Sequence, residues 1–446
     1  MYRRIKSPTI VQVELTEKCP NVCLHCYNYW RSKEPGGIRK YADFPFAMVP
    51  LVAEKLADAG VFHLVLTGGE PLANKKSLKA FIVECGKRGL TCGINSTLRG
   101  LLPEDVEMFK QKHVLGVLVS LLGSTSENHD AITQSTGSFS QTIKGIQTLI
   151  NNNISVSISM VISAKNNTDL IKTATLAKSL GVRGFYATKA SCAGNCQDFR
   201  GLKLDQKQFN EHLEDLLTVS KNLGMKSGFL ECYPLCGINI AHKFKEFLGR
   251  KCFAGVTGMT IGPTGEARPC SHLDSVYGNI FTESLLEIWE RMAHWAKQDY
   301  LPEICRSCSI LKQCSGGCRM EAKMLNGGIY NLDPYAMPQN VPNIISQFNQ
   351  SEKCAPGLEL CEAYQINKRV RTRKEDFGSI IFIGNTMAGY LDERLTMFVN
   401  FLKSGTYRPQ KLGDLVLSAE SQYHFENGLQ VITNLVLKKI LIPCEF

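Results

Sequence analysis

The sequence predicts an α/β protein: a parallel sheet of six strand–helix units, then a cysteine-rich region, then a small α+β unit of winged-helix character. Three observations predict it. A strand–helix alternation repeats six times before residue 225, the pattern turns at about 230 to Gly/Pro-punctuated sequence dense in cysteine, and cysteine nearly vanishes after Cys361. The expected divisions are residues 1–229, 230–362 and 363–446.

The strand candidates of the first region are β-branched apolar runs at 11–15, 63–66, 91–95, 116–121, 156–161 and 184–187. Between them lie amphipathic helical patterns at 46–59, 76–88, 103–112, 139–151 and 170–180. This alternation implies a parallel sheet with crossover helices, and such sheets gather functional residues at the carboxyl ends of their strands. Cys19 follows the first strand, Gly68-Gly69-Glu70 the second, Asn95-Ser96 the third, and Cys192 lies beyond the sixth. In the second region, a polar Asn/Pro-rich stretch between Cys318 and Cys354 reads as a loop or insertion. The third region reads as a strand pair (370–373 and 379–383) followed by helical patterns at 391–402, 411–417 and 425–438.

Composition narrows the function classes. With 446 residues, 44% of them apolar and 21% charged, the chain has ample material for a core. The amino terminus lacks the apolar run of a signal peptide and no run of 18 apolar residues exists, so a cytoplasmic protein without a membrane span is expected. Eighteen cysteines are then anomalous. The cytosol keeps thiols reduced, so metal or cluster ligation is the better reading than disulfides. The formal charge of +10 is scattered, and its one dense run (368–374) is followed at once by acids, so charge alone assigns no partner.

Cys19-x3-Cys23-x2-Cys26 places three thiols in one tight loop after a strand. Four cysteines normally hold a [4Fe-4S] cluster; three leave one iron open to bind a substrate. A zinc knuckle is the alternative, and it wants a fourth Cys or His nearby; His25 lies inside the loop. Thr67-Gly68-Gly69-Glu70-Pro71-Leu72 follows the next strand.

With these two elements the chain resembles the radical S-adenosylmethionine (SAM) superfamily, in which His25 takes the place of the usual aromatic residue before the last cysteine. The resemblance implies a partial (β/α)6 TIM-like barrel whose open iron chelates SAM and, given one electron, releases a 5′-deoxyadenosyl radical. It also implies that backbone carbonyls and the Glu70 carboxylate receive the SAM ammonium, that the two glycines allow close approach, and that Asn95, Ser120 and His25 lie near the cofactor.

A second pattern, Cys252-x12-Gly265-x4-Cys270, then Cys305-x2-Cys308-x5-Cys314-x3-Cys318, then Cys354, resembles the SPASM extension of radical SAM maturases. Carried over, the resemblance gives Cys252, Cys270 and Cys318 to one auxiliary [4Fe-4S] cluster and Cys305, Cys308, Cys314 and Cys354 to another. Cys236 is the candidate for the remaining ligand of the first, with Cys232 its rival; three clusters in all are expected. A pair of zinc sites would satisfy the same spacing. Cys85, Cys92, Cys192, Cys196, Cys361 and Cys444 read mainly as inert thiols, although Cys192 and Cys196 sit above the barrel mouth. For a general base only Tyr186, Lys189, Cys192, Cys196 and His272 offer themselves, by position alone. Sulfatase maturases carry an Asp after the cysteine matching Cys270; Ser271-His272 stands here instead.

Residues 367–446, with the basic strand RVRTRKED and Phe377-Gly378-Ser379-Ile380-Ile381, resemble the PqqD-like peptide-recognition element. Such elements add a leader peptide to a sheet edge. The implied function is radical modification of a ribosomally made precursor peptide, with a flavodoxin or ferredoxin as electron donor. Two other classes stay open: a radical SAM enzyme acting on a small molecule or a folded protein of sulfatase type, and a non-enzymatic Fe–S or zinc protein binding nucleic acid. The nucleic-acid reader would want a basic recognition helix, and the segment 425–438 carries few cations until its end.

Overall fold

In the computed structural model, six period-two apolar runs become six parallel strands: β1 (Ile10–Glu14), β2 (His63–Thr67), β3 (Thr91–Ser96), β4 (Val114–Ser120), β5 (Val156–Ile162) and β6 (Gly184–Lys189). A short β7 (Lys226–Gly228) follows. The structure describes residues 3–28, 41–192, 199–244, 247–248, 250–351, 363–405 and 409–444. β1 to β7 pair in sequence order and always parallel. On its other side β1 pairs, again in parallel, with β8 (Gly258–Ile261) of the cysteine-rich region. β9 (Glu266–Arg268) and β10 (Gly278–Asn279) then continue the sheet antiparallel, giving ten strands in the order β10-β9-β8-β1-β2-β3-β4-β5-β6-β7.

The crossover helices are α1 (Val49–Asp58), α2 (Lys75–Lys87), α3 (Val106–Phe109), α4 (Ser126–Thr133), α5 (Ser138–Asn151) and α6 (Leu170–Ser179). α3 is shorter than the pattern at 103–112 predicts, because Pro103–Asp105 forms a 3-10 turn ahead of it; β4 begins at Val114, two residues earlier than expected. α7 (Gln206–Leu223) went unpredicted, although its signals are local. Asp205 and Gln208 satisfy each other's backbone N–H groups at its start, and Gly224 ends it at φ +60°. The Trp289 indole N–H donates to Ile5 O at 2.9 Å, tying the cysteine-rich region to the amino terminus.

Compactness divides the chain once, into residues 1–351 and 352–446. The second unit has its own core, built on Ile381, Phe398, Val399, Leu412, Ile432 and Ile440. Its three-stranded antiparallel sheet joins β12 (Val370–Glu375), β13 (Gly378–Ile383) and β14 (Thr386–Leu391). A smaller sheet places β11 (Ala363–Ile366) between β15 (Gln410–Lys411) and β16 (Leu441–Pro443). Helices Glu393–Ser404, Leu412–Ser421 and Gly428–Leu437 complete it. The strand pair predicted from sequence is thus a three-stranded meander, because Gly384 at φ +62° turns the chain back into β14. Among the described residues no helix is long and apolar enough to cross a membrane.

Candidate active site

Cys19, Cys23 and Cys26 sit half-buried in the loop that leaves β1. The loop is held from three sides, mostly through its backbone. Val22 and Leu24 donate to Thr133 O and Ile132 O at the end of α4, each at 3.0 Å. The Arg99 guanidinium grips Pro20 O (3.0 Å), the Asn21 side chain (2.5 Å) and Ser135 Oγ (2.6 Å). On the third side stand the glycines after β2. Gly69 N donates to Thr16 O at 2.6 Å and Glu70 N to Lys18 O at 2.7 Å. A Cβ on Gly68, which lies at φ +136°, would stand 2.6 Å from Thr16 O, and one on Gly69 would overlap Lys18 O. The close approach expected of these glycines is therefore to the backbone leading into Cys19.

Glu70 is buried, and its carboxylate accepts from Ser96 Oγ (2.6 Å), Thr97 Oγ1 (2.6 Å), Thr97 N (2.7 Å) and Leu72 N (3.1 Å). Burial raises its pKa, and the Ser96 and Thr97 hydrogen bonds draw it back. Four donors fill the acceptor sites of one carboxylate. The expectation that Glu70 receives an ammonium thus meets a side chain already spent on locking the turns after β2 and β3. Asn95 and Ser120 are half-buried at the carboxyl ends of β3 and β4. Burial and the neighbouring His129 hold His25 neutral, with its pKa lowered to about 4. Its Nδ1 has no hydrogen-bond partner among the described residues.

The cysteines of the second pattern fall into two sets. The buried Cys232 thiol is hydrogen-bonded with Cys252 and Cys318, and Cys318 in turn acts on Cys270. The thiols acting on Cys236 are instead Cys314, Cys305 and Cys308. Backbone amides point at the sulfurs: His272 N at Cys270, Leu235 N at Cys314 and Met337 N at Cys236, each at 3.3 Å. Such N–H···S contacts suit cluster ligands. Burial pushes the Cys270 and Cys236 thiols up to about 12, so a metal would have to draw out their thiolates. Among the described residues no three ligand side chains close on a single ion; the thiols of an iron–sulfur cube bind separate irons and need no common point. Cys354 and Cys196 lie outside the described residues.

Buried charge holds these sets together. Glu14 on β1 pairs with Arg268 on β9, both fully buried, and Arg268 Nη1 donates to Ser271 O (3.2 Å) and Leu273 O (3.1 Å) around the Cys270 turn. Lys189, fully buried at the end of β6, pairs with Glu321 and lies 3.8 Å from Glu231, the residue before Cys232. Burial opposes its charge, but Glu321, Glu231 and Asp333 outweigh that and raise its pKa. Lys189 is therefore a held cation and is unfit as the general base considered from sequence. Asp333 Oδ2 receives Cys318 N at 2.7 Å. None of Glu14, Arg268, Glu231, Glu321 and Asp333 stands out in the sequence; Arg268 and Glu231 had only their closeness to Cys270 and Cys232 to mark them.

The remaining candidates separate. His272 packs at a tilt against Tyr27, the residue after Cys26, with ring centroids 4.6 Å apart, is hydrogen-bonded with Cys318, and lies 3.8 Å from Glu231. Tyr186 is half-buried on β6 beside Gly228. Cys192 is buried and disulfide-bonded, which takes away the thiol that a base or nucleophile would need. In the C-terminal unit, Arg371 stacks on Phe382 (5.3 Å) and Arg373 pairs with Glu375 (2.7 Å), so the basic strand spends these charges internally.

Comparison with known proteins follows this geometry. Residues 13–177 match the model of the radical SAM superfamily and residues 252–309 that of the SPASM iron-sulfur cluster-binding domain. The chain is 26% identical over 357 residues to an AdoMet-dependent heme synthase of Methanosarcina barkeri, covering 76% of this chain and 98% of that protein. It is 27% identical over 353 residues to the antilisterial bacteriocin subtilosin biosynthesis protein AlbA of Bacillus subtilis, covering 76% and 73%. The fold is shared with Streptococcus suis SuiB, solved bound to its precursor peptide SuiA: 16% identity, a TM-score of 0.60, and 75% and 77% of the two chains.

Proposed function

For a chain that belongs to the radical SAM superfamily and carries its SPASM extension, we propose modification of a ribosomally made precursor peptide. The observation that carries this reading is the separate C-terminal unit. The heme synthase and AlbA relatives each match 76% of this chain, so about a quarter of it lies outside either match. The C-terminal unit has its own core and a meander whose outer strands, β12 and β14, each pair on one side only among the described residues. An open edge of this kind can take a leader peptide as a further strand. Beside it, Phe377, Arg394, Met397, Tyr423 and Phe425 line a groove able to receive side chains.

When bound, SAM and its cluster would supply the radical chemistry that removes hydrogen from an unactivated carbon. The chain's own residues do the rest. Cys19, Cys23 and Cys26 would hold the cluster, and Gly68, Gly69 and Arg99 fix their loop. The strand-end groups of Asn95 and Ser120 orient SAM, while Glu70 keeps the turns beneath it rigid. The peptide core enters above the carboxyl ends of the strands, near Tyr27, His272 and Tyr186. A flavodoxin or ferredoxin delivers the electron.

The test is coexpression with a short precursor, read by intact mass. The wild-type chain changes the precursor's mass, and the Cys19→Ala/Cys23→Ala/Cys26→Ala variant makes no 5′-deoxyadenosine and leaves it unchanged. Deleting residues 363–446 is expected to lower precursor modification at least about tenfold while SAM cleavage persists, as loss of a docking site raises KM rather than slowing chemistry. A precursor left intact by wild-type enzyme that still cleaves SAM removes this reading. The small-molecule reading gains if the truncated chain keeps full turnover of a non-peptide substrate.

A further inference from the structure

Cys232 and Cys236 are four positions apart, yet their thiols face different neighbours. Cys232 is hydrogen-bonded with Cys252 and Cys318. Cys236 lies in the turn Leu235–Gly237, which packs against the segment after Asp333 so tightly that a Cβ on Gly237 would overlap Tyr335 O. Met337 N donates to Cys236 Sγ at 3.3 Å, and the Asn340 side chain to Cys236 O at 3.2 Å. From the other side, Leu235 N donates to Cys314 Sγ at 3.3 Å, which brings the buried Cys314 against this same turn. Cys305 and Cys308 lie in consecutive turns just before it, with Cys308 N donating to Cys305 O at 3.1 Å.

Three residues, Tyr233, Pro234 and Leu235, lie between the two thiols and hold them apart, with Leu235 N turned to Cys314 Sγ. Pro234 is fixed in φ. Tyr233 is fully buried; its hydroxyl accepts from Lys189 N at 2.8 Å and meets His212 Nε2 at 3.1 Å, and its ring stacks on Phe229 at 4.1 Å. The chain therefore delivers one thiol to each side of an anchored tyrosine.

We propose that this segment bridges the two auxiliary clusters: Cys232 is the fourth ligand beside Cys252, Cys270 and Cys318, and Cys236 is a ligand beside Cys305, Cys308 and Cys314. The inference rests on the SPASM reading of the cysteine-rich region. It makes both four-thiol sets complete before residue 319 and gives Cys354 no necessary part in either.

The test uses the full chain with Cys19, Cys23 and Cys26 replaced by Ala, so that only auxiliary clusters contribute. After anaerobic reconstitution it is read by iron content and by electron paramagnetic resonance of the reduced protein. The parent is expected to hold about eight irons, two cubes of four, and to show two signals. Cys232→Ser alters or abolishes one signal and Cys236→Ser the other, each with a loss of up to about four irons. Cys354→Ser leaves both signals and the iron content as in the parent. Cys236→Asp, which keeps an anionic ligand, retains the iron with a shifted signal and so separates lost ligation from lost folding.

The proposal is overturned if Cys236→Ser leaves both signals unchanged, if Cys232→Ser and Cys236→Ser alter the same one, or if Cys354→Ser abolishes the signal that Cys236→Ser spares. A parent without auxiliary iron would take the SPASM reading down with it. Two intact signals in an enzyme that leaves every precursor unmodified would remove the peptide function and keep this assignment.

Discussion

The front loop and the rear cysteine sets do related work by opposite means. At the front, Cys19, Cys23 and Cys26 are positioned by backbone against backbone: Gly68 and Gly69 lie on the 16–18 segment with no side chain between them. At the rear, the chains carrying Cys232, Cys270 and Cys318 are held by buried charge, through Arg268 with Glu14, Lys189 with Glu321 and Glu231, and Asp333 on Cys318 N. A backbone-packed loop needs only small residues at the right spacing, whereas a charge-held assembly needs partners far apart in sequence. Glu14 and Arg268 are separated by 254 positions, and Lys189 and Glu321 by 132.

The sharpest way to break this contrast is to remove one buried charge. Arg268→Met leaves the Glu14 carboxylate buried without its partner, and at pH 8 this is expected to cost about 3–5 kcal/mol in denaturant unfolding. The double variant Arg268→Met/Glu14→Leu should regain most of that, since neither charge is then left unpaired. Additive losses would show the pair to be incidental. The same site has a pH signature. Burial raises Glu14 from the ordinary 4.5 to about 7, so the folded chain holds that proton more tightly than the unfolded one. Its contribution to stability is full below about pH 4.5 and is lost as pH climbs through 7, and Glu14→Gln should flatten that slope.

At the front the corresponding break is Gly69→Ala. The added methyl collides with Lys18 O, which is backbone and cannot turn away. A stability loss of about 3 kcal/mol is expected, with 5′-deoxyadenosine formation down about 100-fold because the loop is displaced. Gly201→Ala, where nothing lies within 4 Å, should stay within about 0.5 kcal/mol.

The smallest effect sharpens the comparison by asking what Glu70 does. In Glu70→Gln one amide group must face two donors, either Ser96 Oγ with Leu72 N or Thr97 N with Thr97 Oγ1, at about 1–3 kcal/mol. If Glu70 locks the turns, stability falls and SAM binding weakens only in step with it. A large loss of SAM affinity at unchanged stability would restore direct contact with the ammonium.

Legibility followed the same division. Six strands, the thiol loop and the glycine pair could be read from sequence because each rests on period-two alternation or on spacing within a few residues. The partners of Glu70 were half visible: Asn95-Ser96 is placed at the end of the third strand, but nothing local says that the Ser96 and Thr97 hydroxyls point at residue 70. The partition of Cys232 from Cys236 could not be read, since it depends on how Tyr233 is anchored by Lys189 and His212. The sequence shows that acids follow the basic run, and the structure adds that Glu375, two residues on and on the same face, accepts from Arg373.

One consequence follows from the pairing of β8 with β1. Without that strand, β1 would present an open row of N–H and C=O groups beside the cysteine loop, a template on which a second molecule could assemble. The cysteine-rich region thus serves as a guard against aggregation. A chain ending at residue 229 is expected to lose solubility, which light scattering of the truncated protein would read.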